Sequence, residues 1–145
     1  MSEGYIYKHT NLINGKVYIG QTTQKPEIRW GKDGVNYSSQ KAFYRDICKY
    51  GWNNFSHDVL EIVEANSDKE LKRKLNNIEG HYILKFESLL FKKGYNAIIN
   101  SDTLSAKFTL SANRVISKHV ESGMTIIDAY NLYKKDKKTR RCNVG

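Results

Sequence analysis

The sequence predicts an α/β chain of the α+β kind, with strands and helices mixed in its first hundred residues and a helical appendage behind them. Three observations carry that expectation. Apolar and polar residues alternate on both sides of Asn14-Gly15, the dipeptide that most strongly marks a hairpin turn. Apolar residues recur at helical steps from Ser67 to Phe86. After residue 100 the helical period returns on either side of Gly123.

Taken in order, residues 5–9 and 16–20 are two strands joined through Asn14-Gly15. In the polar stretch that follows, Pro26, Gly31 and Gly34 interrupt regular structure and leave room for one helical turn from Glu27 to Trp30. Such loops often carry function. In "SSQKAFYRDICKYG", Ala42, Phe43, Ile47 and Tyr50 stand at helical spacing, and Gly51 closes the helix. "FSHDVLEIVE" alternates as a strand, with Phe55, Val59 and either Ile62 or Val63 inward. Ser67 and Glu70 form a capping box at the start of the clearest helix. Gly94 to Ile99 is a last extended segment, and the polar "NSDTLSAK" reads as a linker, which divides the chain into domains 1–100 and 101–145.

Val115, Ile116 and Val120, then Ile126, Ile127, Tyr130 and Tyr133, describe two short helices with Gly123 at the turn and Thr125 as an N-cap. They resemble the first two helices of a helix-turn-helix, without a third. The basic run Lys134, Lys135, Lys137, Lys138, Arg140 and Arg141 then either contacts phosphates or is the solvated tail of a helical hairpin packed on the first domain.

A net charge of +9 favours a polyanion through counterion release and steering, with nucleic acid as the leading partner class. No apolar run has spanning length and no signal peptide opens the chain, so no membrane partner and an intracellular, cytoplasmic location are expected. Cys48 and Cys142 form no CxxC pair or Cys/His cluster, which argues against a zinc ribbon or a disulfide framework. His9, His57, His81 and His119 do not cluster along the sequence either and are expected to be structural or solvent-facing.

The hairpin sorts its side chains. A two-residue turn would set Asn11 opposite Tyr18, and a six-residue loop would set Tyr7 opposite Tyr18. In both registers Tyr5, Tyr7 and Tyr18 share one face while Ile6, Val17 and Ile19 share the other. The apolar face is expected in the core, which leaves a tyrosine face for something polar. On a wheel of about 100° per residue with Leu71 at zero, Ile78, Tyr82, Leu75, Phe86 and Ile83 fall between about −20° and +120°, and Glu79 falls at about +80°, inside that stripe. A carboxylate there must be protonated, be paired or bind a metal; Arg29 and a divalent cation are the available compensators.

Tyr5-Ile6-Tyr7, Tyr18-Ile19-Gly20 eleven residues on, Arg29 followed by Trp30, "KYGWNNF", Glu79 in "IEGHYI" and Gly94-Tyr95-Asn96, in that order, resemble the GIY-YIG nuclease domain over residues 4 to about 100. The arrangement is most like phage or intron-associated homing endonucleases, with the nuclease domain first and a DNA-targeting part behind. The resemblance implies a small three-stranded antiparallel sheet flanked by helices and hydrolysis of double-stranded DNA with one Mg²⁺ or Mn²⁺ ion. It makes Glu79 the metal ligand, Arg29 the clamp on the scissile phosphate, Tyr7 the group that activates or orients the attacking water, and Tyr18 its hydrogen-bonding support. Asn96 is implied as a supporting residue. Two departures stand out. Gly4 precedes a Tyr-Ile-Tyr triplet, and Asp33 stands where many homing members carry a His, so that either Lys32 or Tyr37 fills that place or its role is dispensable here.

The side-chain chemistry agrees with these roles, because a single carboxylate suffices for an ion that keeps most of its waters and a guanidinium fork suits phosphate. A tyrosine base is unusual, since a free phenol ionises only near pH ~10; a neighbouring cation and an arginine would bring that down. Two other readings of the same fold stay open: a catalytically idle DNA-binding regulator, and a restriction or repair nuclease.

Overall fold

The structure is a computed structural model that describes residues 1–90, 92 and 94–142, without the side chains of Leu110 and of residues 138–142. Its centre is a three-stranded antiparallel sheet in the order β2-β1-β3, formed by β1 (Ser2–Asn11), β2 (Val17–Thr22) and β3 (Phe55–Ala65). Between β2 and β3 lie α1 (Pro26–Trp30), a 3-10 segment (Lys32–Tyr37) and α2 (Lys41–Tyr50). After β3 come α3 (Asp68–Lys85), a two-stranded hairpin of β4 (Ile98–Asn100) and β5 (Ser105–Lys107), then α4 (Leu110–Glu121) and α5 (Ile126–Cys142).

The hairpin closes by neither of the two expected registers. Asn11 N–H donates to the Lys16 carbonyl at 2.8 Å across a four-residue loop, and Gly15 takes φ 79° within it. This places Tyr7 opposite Gly20 and His9 opposite Tyr18. The shift from either expected register is an even number of positions, so the predicted faces survive: Ile6, Val17 and Ile19 join one cluster, and Tyr7 and Tyr18 join the other.

Each face of the sheet therefore carries its own core. On the first, Ile6 and Ile19 pack with Leu71, Leu75 and Ile83 of α3 and with Ile99, Phe108, Ile116 and Ala129. On the second, Tyr7 and Tyr18 pack with Tyr37, Phe43, Ile47, Phe55 and Tyr95 beneath α1, the 3-10 segment and α2. The tyrosine face is thus a buried aromatic core rather than an open polar surface. Tyr7 and Tyr18 are only 1% and 8% exposed.

A bulge in β3 lets that strand feed both cores. The β1–β3 register slips between Ile6 and Tyr7, which pair with Glu61 and Val59 and leave Leu60 extra. Before the bulge, Phe55 and His57 face the aromatic core; after it, Val63 and Ala65 face the aliphatic one. Val59, expected inward, is exposed on this edge strand, and of the alternatives Ile62 is exposed and Val63 buried.

Ser67 caps α3 as expected, its hydroxyl accepting from Glu70 N–H at 3.2 Å. The stretch read as a linker is instead the β4–β5 hairpin. Asp102 at its turn is bound by Arg73 and Asn77 of α3, and Leu104 and Ala106 are buried in the aliphatic core. Thr109 and Thr125 both accept an N–H of the following helix through their hydroxyls. Ala112, Ile116 and Ala129 are fully packed, so α4 and α5 form a hairpin joined to the same core as α3.

Candidate active site

β1 and β2 present Tyr7 and Tyr18 to the aromatic core, and α1 brings Arg29 to its margin. Pro26 stands in the first turn of this short helix, where its fixed φ and missing N–H suit a helix start. The Arg29 guanidinium lies 4.8 Å from the centre of the Tyr37 ring and donates to the Asn36 carbonyl at 3.3 Å. Stacking on an aromatic face plus one hydrogen bond holds the fork in place.

Glu79 approaches from α3. Its helix buries the side through Leu75, Gly80 and Ile83, and Glu79 lies near the middle of that arc. It stays half-buried because it borders a cavity of about 580 Å³, also lined by Tyr18, Gln40, Lys41, Tyr95 and Asn96. Burial pushes its carboxyl up to about 7, against a hydrogen bond from Gln21 and the charge of Lys72. Gln21 is itself held, donating to Asn76 at 2.8 Å and accepting from Lys72 Nζ at 3.1 Å. The expected compensator Arg29 is not among these partners; Gln21 and Lys72 occupy that role.

Arg29 and Glu79 both act on the tyrosines. Burial raises the Tyr7 and Tyr18 phenols above their ordinary value; Arg29 works against the rise at each, and Glu79 adds to it. The structure thus gathers Tyr7, Tyr18, Arg29, Glu79 and Tyr37 into one electrostatic neighbourhood. At Tyr7 burial outweighs the opposing charge of Arg29. Tyr18 accepts a hydrogen bond from Gln40 Nε2 at 3.0 Å.

Asn96 acts on the backbone of β2, the edge strand. Its Oδ1 accepts from Ile19 N–H at 2.9 Å and its Nδ2 donates to the Ile19 carbonyl at 2.8 Å, so its amide stands in for a neighbouring strand at the residue between Tyr18 and Gly20. The Ser88 hydroxyl donates to the same Oδ1 at 2.7 Å. Gly94 makes this approach possible, because a Cβ there would lie 1.9 Å from the Ser88 carbonyl oxygen.

Not every expected residue joins the cluster. Tyr37 does, fully buried with its hydroxyl at its centre; Lys32 is exposed on the 3-10 segment. Lys134, Lys135 and Lys137 are exposed on α5, with Lys134 and Lys137 lying near the rings of Tyr130 and Tyr133. The side chains of Lys138, Arg140 and Arg141 lie outside the described residues. Cys48 is a free, exposed thiol, as expected.

Two histidines form a pair that the sequence did not suggest. His9 is fully buried at the heart of the aromatic core, with His57 across the ladder in β3. A signal existed for the first: His9 stands two residues after Tyr7 and so shares its face. His57 gave none, because its partner depends on strand pairing. Among the described residues no group of three His, Cys, Asp or Glu side chains could hold a metal, and no helix is long and apolar enough to cross a membrane.

No protein-family model matches the chain. It is similar to two candidate endonucleases of Enterobacteria phage T4. Identity to segE is 39% over 64 residues, 44% of this chain and 29% of that protein. Identity to segD is 29% over 112 residues, 77% of this chain and 40% of that protein. The chain is also 31% identical over 98 residues to an uncharacterized protein of Invertebrate iridescent virus 6, covering 66% of this chain and 34% of the other. It therefore spans between 29% and 40% of the length of these relatives. Among solved structures it is similar to the catalytic domain of the homing endonuclease I-TevI, with 24% identity, a TM-score of 0.47, and coverage of 64% of this chain and 96% of that domain. The phage relatives are consistent with the GIY-YIG resemblance of the sequence.

Proposed function

We propose that this chain is a GIY-YIG endonuclease of homing type, which hydrolyses phosphodiester bonds of double-stranded DNA with one divalent ion, Mg²⁺ or Mn²⁺, held by Glu79. The observation that carries the reading is the convergence of Tyr7, Tyr18, Arg29 and Glu79 on one neighbourhood from four separate elements. Relatives named as endonucleases and a net charge of +9 support the same substrate class.

Glu79 fits a divalent ion on chemical grounds. A half-buried carboxyl raised to about 7 is short of compensating positive charge, and it faces a cavity with room for an ion that keeps most of its waters. Bound there, the ion would supply Lewis-acid stabilisation of charge on the phosphate oxygens. The remaining work falls to this chain's own residues. Arg29, clamped on Tyr37, offers a planar fork for the scissile phosphate and opposes charge that builds on it. Tyr7 orients the attacking water through its hydroxyl, and Tyr18, fixed by Gln40, supports that water or the phosphate. Asn96 keeps the backbone between Tyr18 and Gly20 in register.

The direct test is incubation of plasmid DNA with the protein and Mg²⁺, beside Glu79→Ala. Nicked or linear product from the native protein alone is expected; undiminished cutting by Glu79→Ala would overturn the assignment.

A further inference from the structure

Two helices each put a charged side chain on the lining of the cavity beside Tyr18. α3 supplies the Glu79 carboxyl, and α2 supplies Lys41, its first residue; Gln40, Tyr95 and Asn96 add polar groups. These polar groups are engaged within the protein. Asn96 is bound to the Ile19 backbone and to Ser88, and Gln40 donates to Tyr18. The Tyr95 hydroxyl donates to Asp46 at 2.6 Å and accepts from Asn11 at 3.2 Å.

Lys41 differs from them. Among the described residues none gives its ammonium an ion pair or a hydrogen bond. It does not pair with Glu79 either, whose carboxyl answers to Gln21 and Lys72. Carboxyl and ammonium therefore border one cavity of about 580 Å³ without meeting, which leaves room in it for a third body. Arg29 and Lys72, by contrast, are held in place, the first by the Tyr37 ring and the Asn36 carbonyl, the second by Gln21.

We propose that Lys41 anchors one phosphate of a DNA strand in the cavity that Glu79 also lines. The choice of DNA as ligand rests on the nuclease reading. A strand suits the cavity better than a small anion does, because the remaining wall is apolar: Leu90 and Ile98 line it although both are exposed. Along a strand, anionic phosphates alternate with sugars whose carbon edges can lie on such a wall. Lysine fits this place as a point charge with freely turning donors, which grips a phosphate from many directions and reads no sequence. Lys41 and Glu79 act on that phosphate with opposite sign. The bare carboxylate repels what the ammonium attracts, and a divalent ion held by Glu79 would remove the repulsion. Lys41 thus makes entry of the strand depend on the charge state of Glu79.

DNA affinity tests the anchor without any cutting. The probe is a linear fragment of plasmid DNA in EDTA at pH ~8, where the Glu79 carboxyl is mostly charged. Across about 50–200 mM salt, Lys41→Met should lower the slope of log affinity against log salt by about 0.9, the effect of one phosphate, while Lys41→Arg keeps the native slope. Glu79→Gln should tighten binding by the native protein about fivefold. In the Lys41→Met background the same change should give less than about twofold, because no phosphate is then drawn in beside residue 79. An unchanged slope in Lys41→Met overturns the anchor. A Glu79→Gln effect equal in both backgrounds, none included, puts the phosphate elsewhere and overturns it too. Cleavage of the plasmid with Mg²⁺ is read separately. A native protein that cuts while either affinity effect fails keeps the nuclease reading and loses the anchor; one that shows both effects and cuts no DNA loses the nuclease reading and keeps the anchor.

Discussion

The ring of Tyr7 lies flat against Gly20, its partner across the β1–β2 ladder: a Cβ on Gly20 would sit 2.5 Å from two ring carbons and 2.6 Å from the hydroxyl. A glycine therefore holds this place because the phenol occupies the volume of a side chain. Gly20→Ala should tilt Tyr7 out of line, with a destabilisation of about 1–3 kcal/mol from overpacking. Cleavage should fall far more than melting temperature, and the two are read by a plasmid assay and by thermal unfolding.

Glu79 predicts a pH signature. Its folded value of about 7 lies above the ordinary 4.5, so the protonated form is favoured by folding. The associated stability is fully present below about pH 4.5 and is lost as pH rises through 7; the shift corresponds to about 3 kcal/mol, reduced to about 2 kcal/mol by screening of the half of the carboxyl that faces water. Glu79→Gln should lack this loss, so its stability relative to the native protein should improve between about pH 5 and 8 in urea unfolding. Millimolar Mg²⁺ at about pH 8 should raise the melting temperature of the native protein and leave that of Glu79→Gln unchanged.

Arg29 is held by its planar shape as well as its charge, stacked on Tyr37 and bonded to the Asn36 carbonyl. Lysine keeps the charge and loses the fork. Arg29→Lys should cut about 10²-fold more slowly, in line with the loss of an oriented donor to a developing anion. DNA affinity in a gel shift should change by less than about threefold, since most binding free energy comes from dispersed phosphate contacts.

Asn96 satisfies both backbone groups of Ile19 on the open edge of β2. Asn96→Ala would leave a buried N–H and carbonyl without partners, which costs about 1–3 kcal/mol for each group not reached by water. Urea unfolding should show a loss of at least about 2 kcal/mol. Amide exchange at Ile19 should accelerate more than at Ile6, on the central strand.

How far the sequence reached depends on which kind of periodicity each residue obeys. The separation of Tyr7 and Tyr18 from Ile6 and Ile19 was legible because strand faces depend only on parity, and the observed register keeps the parity of both expected ones. Glu79 was legible because a helix wheel needs no partner: the arc containing it is buried wherever α3 packs. The capping of α3 by Ser67 was legible for the same local reason.

Tertiary structure alone decided who stands opposite whom. A four-residue loop set His9 beside Tyr18 and Tyr7 over Gly20, and the Leu60 bulge turned one strand's residues toward two different cores. The pairing of His9 with His57 joins residues 48 positions apart, so neither spacing nor pattern could reveal it. Burial of the tyrosine face was likewise undetermined by pattern, because a row of phenols suits a wet surface and an aromatic core equally well until α1, α2 and Tyr37 close over it. Residue type and parity are local properties, whereas desolvation and hydrogen-bond partnership depend on which distant segments arrive. The opening tyrosines belong to both kinds: their common face is written in the sequence, and their burial against Gly20, Tyr37 and His9 is a product of the fold.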